Sequence, residues 1–190
     1  MKKQKTRDHI IEAADQLFYQ QGYEHTSFAH IADDVKISRG NFYYHFKTKD
    51  EILDAVISAR LDKTRKMLSQ WEQSGTSPQG RIKCFIRILI TNRDKILNYG
   101  CPVGTLTTEL AKLKHASRTE ANALFTLFRC WLQEQFIQIG CQEDDADERA
   151  MHLLARSQGV ATLASAFHDA KFIDQEVTQM CEWVDGYAPV

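Results

Sequence analysis

An all-α fold is predicted by three features of this 190-residue chain. Apolar residues recur at three- and four-residue intervals almost throughout, the spacing of one helix face. Ser, Thr, Pro and acidic residues stand where helices would begin, and Gly where they would end. No segment alternates like a strand for more than a few residues, and there is no internal repeat or low-complexity tract. Hydrophobic residues make up 43% of the chain, with three prolines and nine glycines, so a packed core is expected rather than disorder.

The elements follow in order. Ile10, Ala14, Leu17 and Phe18 form one face of a first helix over about 6–21, stopped by Gly22. Phe28, Ile31, Ala32 and Val35 keep the i, i+3, i+4, i+7 spacing of a short second helix. Ser38 can cap a third, running to about Phe46. Thr48 to Glu51 has the pattern of a capping box, opening a long helix with Leu53, Val56, Leu61, Leu68 and Trp71 inward. Ser74 to Gly80 reads as a linker, and Pro78 suits a helix start because its missing N–H needs no partner there. The next helix is expected to reach about Asn98, where Tyr99-Gly-Cys-Pro102 breaks it. Pro102 begins a shorter helix to about Lys114. Ser117 to Glu120 is a second capping box, opening a helix to Ile139. Glu143, Asp144 and Asp145 complement the positive end of a helix reaching about His168. A last helix is placed over roughly 173–185. The total expected is about nine, divided into an N-terminal domain over 1–48 and a C-terminal domain over 49–190.

Composition narrows the function classes. No apolar run reaches transmembrane length and the start of the sequence lacks a signal-peptide core, so a cytoplasmic protein with no membrane partner is expected. Five cysteines without a CxxC pair fit a reduced compartment. Net charge is −1, but residues 1–66 carry 12 Lys and Arg against 10 Asp and Glu, whereas residues 67–190 carry 12 against 15. So small an asymmetry is no signal alone, yet phosphate contact needs only a few placed cations.

The most informative stretch is Ser38-Arg-Gly-Asn-Phe-Tyr-Tyr-His-Phe-Lys-Thr-Lys49. With the preceding short helix it reads as a helix-turn-helix, whose second helix enters the major groove. Ser38 and the backbone at Gly40 can meet phosphate, and Gly40 permits close approach. Arg39 can pair with guanine and Asn41 with adenine. Tyr43, Tyr44 and His45 can donate to phosphate or stack on sugar. Thr26 and Ser27 can contact phosphate from the start of the second helix. Lys49, a cation in the first turn of a helix, stands against the helix dipole, and phosphate would supply its partner. Phe42 and Phe46 should point into the core. On spacing alone a buried aromatic cluster with solvated cations explains the stretch equally well.

The segment from about Arg7 to Leu53 resembles the N-terminal domain of TetR/AcrR-type transcriptional repressors. The matching residues are Ile10-Ile-Glu-Ala-Ala-Asp-Gln-Leu-Phe18, Gly22-Tyr-Glu-His-Thr-Ser27, Ile31-Ala-Asp-Asp-Val35 and the stretch from Ser38 to Leu53. The resemblance implies a homodimer on a near-palindromic double-stranded DNA operator. It makes Ser38, Arg39, Asn41, Tyr43, Tyr44, His45 and Lys49 DNA-facing. Asn41 departs from the Thr more usual there, which leaves its base preference open. The resemblance also implies an all-helical C-terminal domain that binds a small-molecule effector of unknown identity. Candidate lining comes from Phe85, Leu89, Leu106, Leu110, Phe125, Phe128 and Trp131, although aromatics at helical spacing are more often plain core.

Cys101 falls at the expected N-cap before Pro102, where exposed amide dipoles stabilise a thiolate. Gly100-Cys-Pro-Val-Gly104 resembles a segment in one branch of the family, some of whose members sense electrophiles or oxidants through that cysteine. The other reading is a small buried apolar residue. The last two helices carry Ala155, Ser157, Gly159, Ala161, Ala164 and Ser165 among Leu153, Leu154, Val160, Leu163, Phe167, Met180, Trp183 and Val184. They suit a four-helix dimer interface, or packing within one chain. No HExxH, Gly-x-Ser-x-Gly, GxGxxG or phosphate loop is present. No catalytic residue, cofactor or metal is therefore expected, and a helical enzyme or an adaptor without DNA binding is the lesser alternative.

Overall fold

A computed structural model of the chain describes residues 2–74 and 77–187. Among these there are ten α-helices and no strand. They are α1 (Lys2–Gln21), α2 (Phe28–Val35), α3 (Arg39–His45), α4 (Lys49–Gln73), α5 (Pro78–Thr91), α6 (Arg93–Tyr99), α7 (Pro102–Lys112), α8 (Arg118–Ile139), α9 (Glu143–Phe167) and α10 (Ala170–Asp185). The all-α class expected from spacing is the one observed.

Several boundaries differ, each for a local reason. α1 begins at Lys2 because no breaker stands ahead of residue 6, and Gln4 reaches Asp8 one turn on at 2.7 Å. The helix expected to reach Asn98 is interrupted at Asn92, which makes the total ten rather than nine. The Asn92 side chain donates to the Ile88 carbonyl at 3.1 Å, a bond within the local chain that competes with a continued helix. α10 begins at Ala170 because the Asp169 carboxylate accepts the Phe172 N–H at 3.0 Å, a cap upstream of the first apolar residue. Of the linker expected over 74–80, Gly75 and Thr76 lie outside the described residues, but Ser77 caps α5 and Pro78 is its first residue. The box at Thr48 is half formed: its hydroxyl accepts the Glu51 N–H at 3.1 Å, while the Glu51 carboxylate takes the Lys47 N–H at 2.7 Å. At Ser117 the hydroxyl donates instead to Asp54 at 2.7 Å.

Two compact units are present. The first comprises Met1–Lys63 and Thr105–Ala123. Its core joins Ile10, Ala14 and Phe18 of α1, Ile31 and Val35 of α2, and Phe42 with Phe46 at α3. Leu53 and Val56 of α4 and Leu106 and Leu110 of α7 complete it. Phe42 is 1% exposed and Phe46 2%, as the core-facing assignment requires. Burial of each such ring is worth about 1.5–3 kcal/mol. Arg60 and Asp15 tie α4 to α1 at 2.6 Å.

The second unit comprises Thr64–Gly104 and Leu124–Val190. Its core is built on Ile82, Ile86, Leu132, Phe136, Leu153, Val160, Ile173 and Met180. Arg156 of α9 reaches Glu176 of α10 at 2.9 Å, and Arg93 of α6 pairs with Asp174. The C-terminal end of α10 is closed by rings: Phe136, Trp183 and Tyr187 meet pairwise within 5.8 Å.

Candidate nucleic-acid interface

The second and third helices form a short angle in the chain. Ser27 caps α2 by accepting the His30 N–H at 3.2 Å, while the Ser27 N–H donates to the His30 ring. α2 ends at Lys36, whose backbone is left-handed at φ 55°, and the Ile37 N–H returns to the Ala32 carbonyl at 3.3 Å. That closure turns the chain before Ser38, whose hydroxyl accepts the Asn41 N–H at 3.4 Å and opens α3.

α3 divides sharply between its faces. Phe42 enters the core, whereas Arg39, Gly40 and Asn41 are exposed, Tyr43 is 49% exposed and Tyr44 59%. Tyr43 is steadied by stacking on Phe28, with ring centroids 5.5 Å apart. Tyr44 meets the half-buried His45 ring edge to face at 5.3 Å. Among the described residues a Cβ added to Gly40 would meet nothing within 4 Å, so packing against them does not demand glycine there. The face therefore presents a guanidinium, an amide, two phenols and bare backbone together. This chemistry suits phosphate and base edges.

Two expected contact residues, Thr26 and Lys49, are placed differently, and a third, Ser27, has a second role. Thr26 is 1% exposed, and its hydroxyl donates to the Gly22 carbonyl at 2.7 Å, so it fastens the turn between α1 and α2 instead of facing outward. Lys49 has partners within the chain: its ammonium donates to the carbonyls of Tyr23 at 3.0 Å and Glu24 at 3.4 Å and lies 4.2 Å from the Tyr23 ring centroid. Ser27 is exposed but already serves as a cap.

Behind the exposed face lies a frame that spacing did not disclose. Glu109 of α7 accepts the N–H groups of both Tyr23 and Glu24, each at 2.9 Å. Lys49 grips the carbonyls of the same two residues, so both poles of one turn are held by charge-assisted bonds. The Tyr23 hydroxyl donates to Asp50, and the His115 Nε2 lies 3.5 Å from the same carboxylate oxygen. The Ser117 N–H donates to His115 Nδ1 at 3.1 Å, which leaves the ring proton of the neutral form on Nε2. Burial first, then the bond to Asp50, pushes the Tyr23 phenol above its ordinary range. The Tyr23 hydroxyl, helped by His115 and Lys49, holds the Asp50 carboxyl below its ordinary range despite partial desolvation.

The seven candidate pocket residues do not gather in one place. Leu106 and Leu110 belong to the core of the first unit, because α7 lays its apolar face there. Phe85, Leu89, Phe128 and Trp131 are buried in the second unit, with Phe125 partly buried against them. Phe85 and Phe128 rings lie 5.4 Å apart, and Trp71 and Trp131 5.6 Å. The Trp131 indole N–H donates to Glu72 at 2.8 Å. Cys101 is half-buried, and its sulfur accepts the Gly104 N–H at 3.4 Å, the N-cap geometry expected of it. In the last two helices Leu153, Leu154, Val160, Ala161, Ala164, Met180 and Val184 are buried within their own unit. Leu163 at 45% and Phe167 at 75% remain exposed, with Met151 at 43%. Among the described residues no helix is long and apolar enough to cross a membrane.

Comparison with known proteins agrees with this geometry. The family model for bacterial regulatory proteins of the tetR family matches residues 10–56. A model for the C-terminal domain of LmrA/YxaF-like transcriptional regulators matches residues 78–179. A Lactococcus lactis HTH-type transcriptional regulator, from the lacX 3′ region, is 33% identical over 123 residues. That match covers 64% of this chain and 63% of the relative, less than two thirds of its length. The HTH-type transcriptional regulator LmrA of Bacillus subtilis is 25% identical over 156 residues, covering 81% of this chain and 83% of LmrA. The crystal structure of a TetR transcriptional regulator from Legionella pneumophila superposes with a TM-score of 0.82 at 24% identity, over 94% of each chain.

Proposed function

From the premise that the chain belongs to the TetR family of transcriptional regulators, we propose that it is a repressor released from its operator by a small-molecule inducer. In this reading residues 1–48 read DNA and residues 49–190 bind the effector and a second copy. The observation that carries it is the divided α3, with Phe42 buried and Arg39, Asn41, Tyr43 and Tyr44 turned outward beside an unobstructed Gly40. Ser38 and Ser27 add backbone and hydroxyl groups at helix starts, where phosphate is favoured. Two copies, joined through the outer face of the last helices, would offer two recognition helices to successive major grooves of a cytoplasmic operator. An effector in the second unit would displace α4 and so change the separation of those helices. Coupling of this kind typically changes affinity about 5–150-fold.

The test is fluorescence anisotropy with duplex DNA from the protein's own upstream region, over a series of salt concentrations. Specific binding should weaken steeply as salt rises, with a log–log slope of roughly −0.9 per phosphate contacted. Tyr43→Ala should weaken binding about tenfold, while loss of the stack on Phe28 lowers stability by only about 0.5–1.5 kcal/mol. Unchanged affinity in that variant, or salt-insensitive binding, would reject the role given to α3.

A second reading makes Cys101 the sensor, supported by the Gly104 N–H directed at its sulfur. Treating the complex with a mild quinone separates the two. Release from DNA in wild type but not in Cys101→Ser would establish the thiol switch, and indifference to the quinone would leave the reversible inducer.

A further inference from the structure

Gln135 is a polar side chain at a core position of α8. Phe128, Trp131, Leu132 and Ile139 lie seven, four and three residues before it and four after it, and all are buried. Helical spacing puts these positions on one stripe. Gln135 itself is 0% exposed. Its amide nitrogen makes one long bond, 3.4 Å, to the Trp131 carbonyl. Among the described residues its carbonyl oxygen has no hydrogen-bond partner. The amide cannot be turned round to mend this, because the Trp131 carbonyl accepts only and must face the nitrogen. A buried acceptor without a donor is unfavourable, and a plain core would place an apolar side chain here.

We propose that the Gln135 carbonyl is the polar anchor of the effector site, and that the effector is a flat aromatic molecule carrying an O–H or N–H donor. The inference rests on the effector reading given above and specifies the ligand's chemistry. Aromaticity follows from the surroundings: Trp131 pairs with Trp71, and Phe128 with Phe85, in the same unit. Ring faces and edges at these separations suit another ring. The donor follows from Gln135, which offers a ligand an acceptor whose oxygen that donor would satisfy.

The experiment uses the full chain and two probes of nearly equal size, 1-naphthol and naphthalene, measured by equilibrium dialysis. The wild type should bind 1-naphthol about tenfold more tightly than naphthalene, the difference expected of one buried hydrogen bond. Gln135→Met keeps the length of the side chain and removes the carbonyl. It should bind both probes equally, with a melting temperature no lower than that of the wild type, and Gln135→Leu provides the same test should the Met variant misfold. Absence of naphthol binding in the wild type, or no preference over naphthalene, would overturn the proposal and leave a buried water on Gln135. A naphthol preference surviving in both variants would also overturn it. Anisotropy with the upstream duplex, run on the same samples, keeps the readings apart. Lost DNA binding with intact naphthol selectivity would reject the regulator reading alone, and the converse would reject the role of Gln135 alone.

Discussion

Tyr23 shows how little of the frame behind α3 can be read along the chain. Its N–H goes to Glu109, 86 positions away, its carbonyl to Lys49 and its hydroxyl to Asp50. Spacing identified Lys49 as a cation in need of a partner but could not find a partner supplied by a turn 26 residues earlier. Glu109 gave no signal, since one carboxylate on a partly exposed helix looks like any other. The exposed Tyr43 and Tyr44 were legible, because a seven-residue helix with Phe42 inward must turn its neighbours outward. The Tyr23 network carries a pH signature. A phenol whose folded pKa lies above its unfolded value of about 10 adds stability that is fully present below pH 10 and fades as pH rises towards the folded value. Tyr23→Phe should therefore be less stable than wild type at pH 7, and the gap should narrow between pH 10 and 12. Urea midpoints at the two ends of that range decide it: a constant gap would mean that the hydroxyl does not titrate differently in the folded state.

Among the elements, the starts of α3 and α5 were placed well from the sequence, whereas the start of α10 behind its Asp169 cap and the break at Asn92 were not. Ser38 and Pro78 mark starts that the structure reproduces. The break at Asn92 was hidden because apolar spacing continues on both sides of it, at Ile86, Leu89 and Ile96. Two glycines separate the demands of folding from those of binding. Gly22 ends α1 at φ +89°, and a Cβ there would lie 3.0 Å from the Glu109 carboxylate that clamps the next two residues. Gly22→Ala should destabilise by more than about 1 kcal/mol, because neither the backbone nor the clamp can relax without the other. Gly40 lies inside α3 with open space around it. Gly40→Ala should stabilise by roughly 0.5–1 kcal/mol while lowering operator affinity, if the duplex approaches this backbone. Urea unfolding and anisotropy on the pair check both halves. A Gly40→Ala variant that gains stability and keeps full affinity would remove Gly40 from the interface.

For the whole molecule, the sequence-based division at residue 48 follows the proposed roles, whereas compact packing draws residues 49–63 and Thr105–Ala123 into the first unit. That return could not be foreseen, since Leu106 and Leu110 have the same apolar period whichever core receives them. The same ambiguity affected the last two helices, where most of the apolar residues expected at a dimer interface fill their own unit. What remains is the outer face of α9: Met151, Leu163 and Phe167 exposed, with Ala155, Gly159 and Ala166 exposed between them. Small residues let a second helix approach, and Phe167, 75% exposed, is the largest apolar group still seeking cover. In the reading proposed above, one copy carries one α3, so binding both halves of a near-palindrome needs a second copy, and this face is where we place it. Phe167→Glu places like charges opposite each other across any two-fold contact here. It should reduce the sedimenting mass to that of one 21.9 kDa chain and lower operator affinity by about 100-fold, as the second half-site contact ceases to be intramolecular. Analytical ultracentrifugation of wild type and variant, each with and without operator, decides the matter. A wild type that sediments as a single chain even on DNA, or a variant that remains paired, would place the second recognition helix elsewhere.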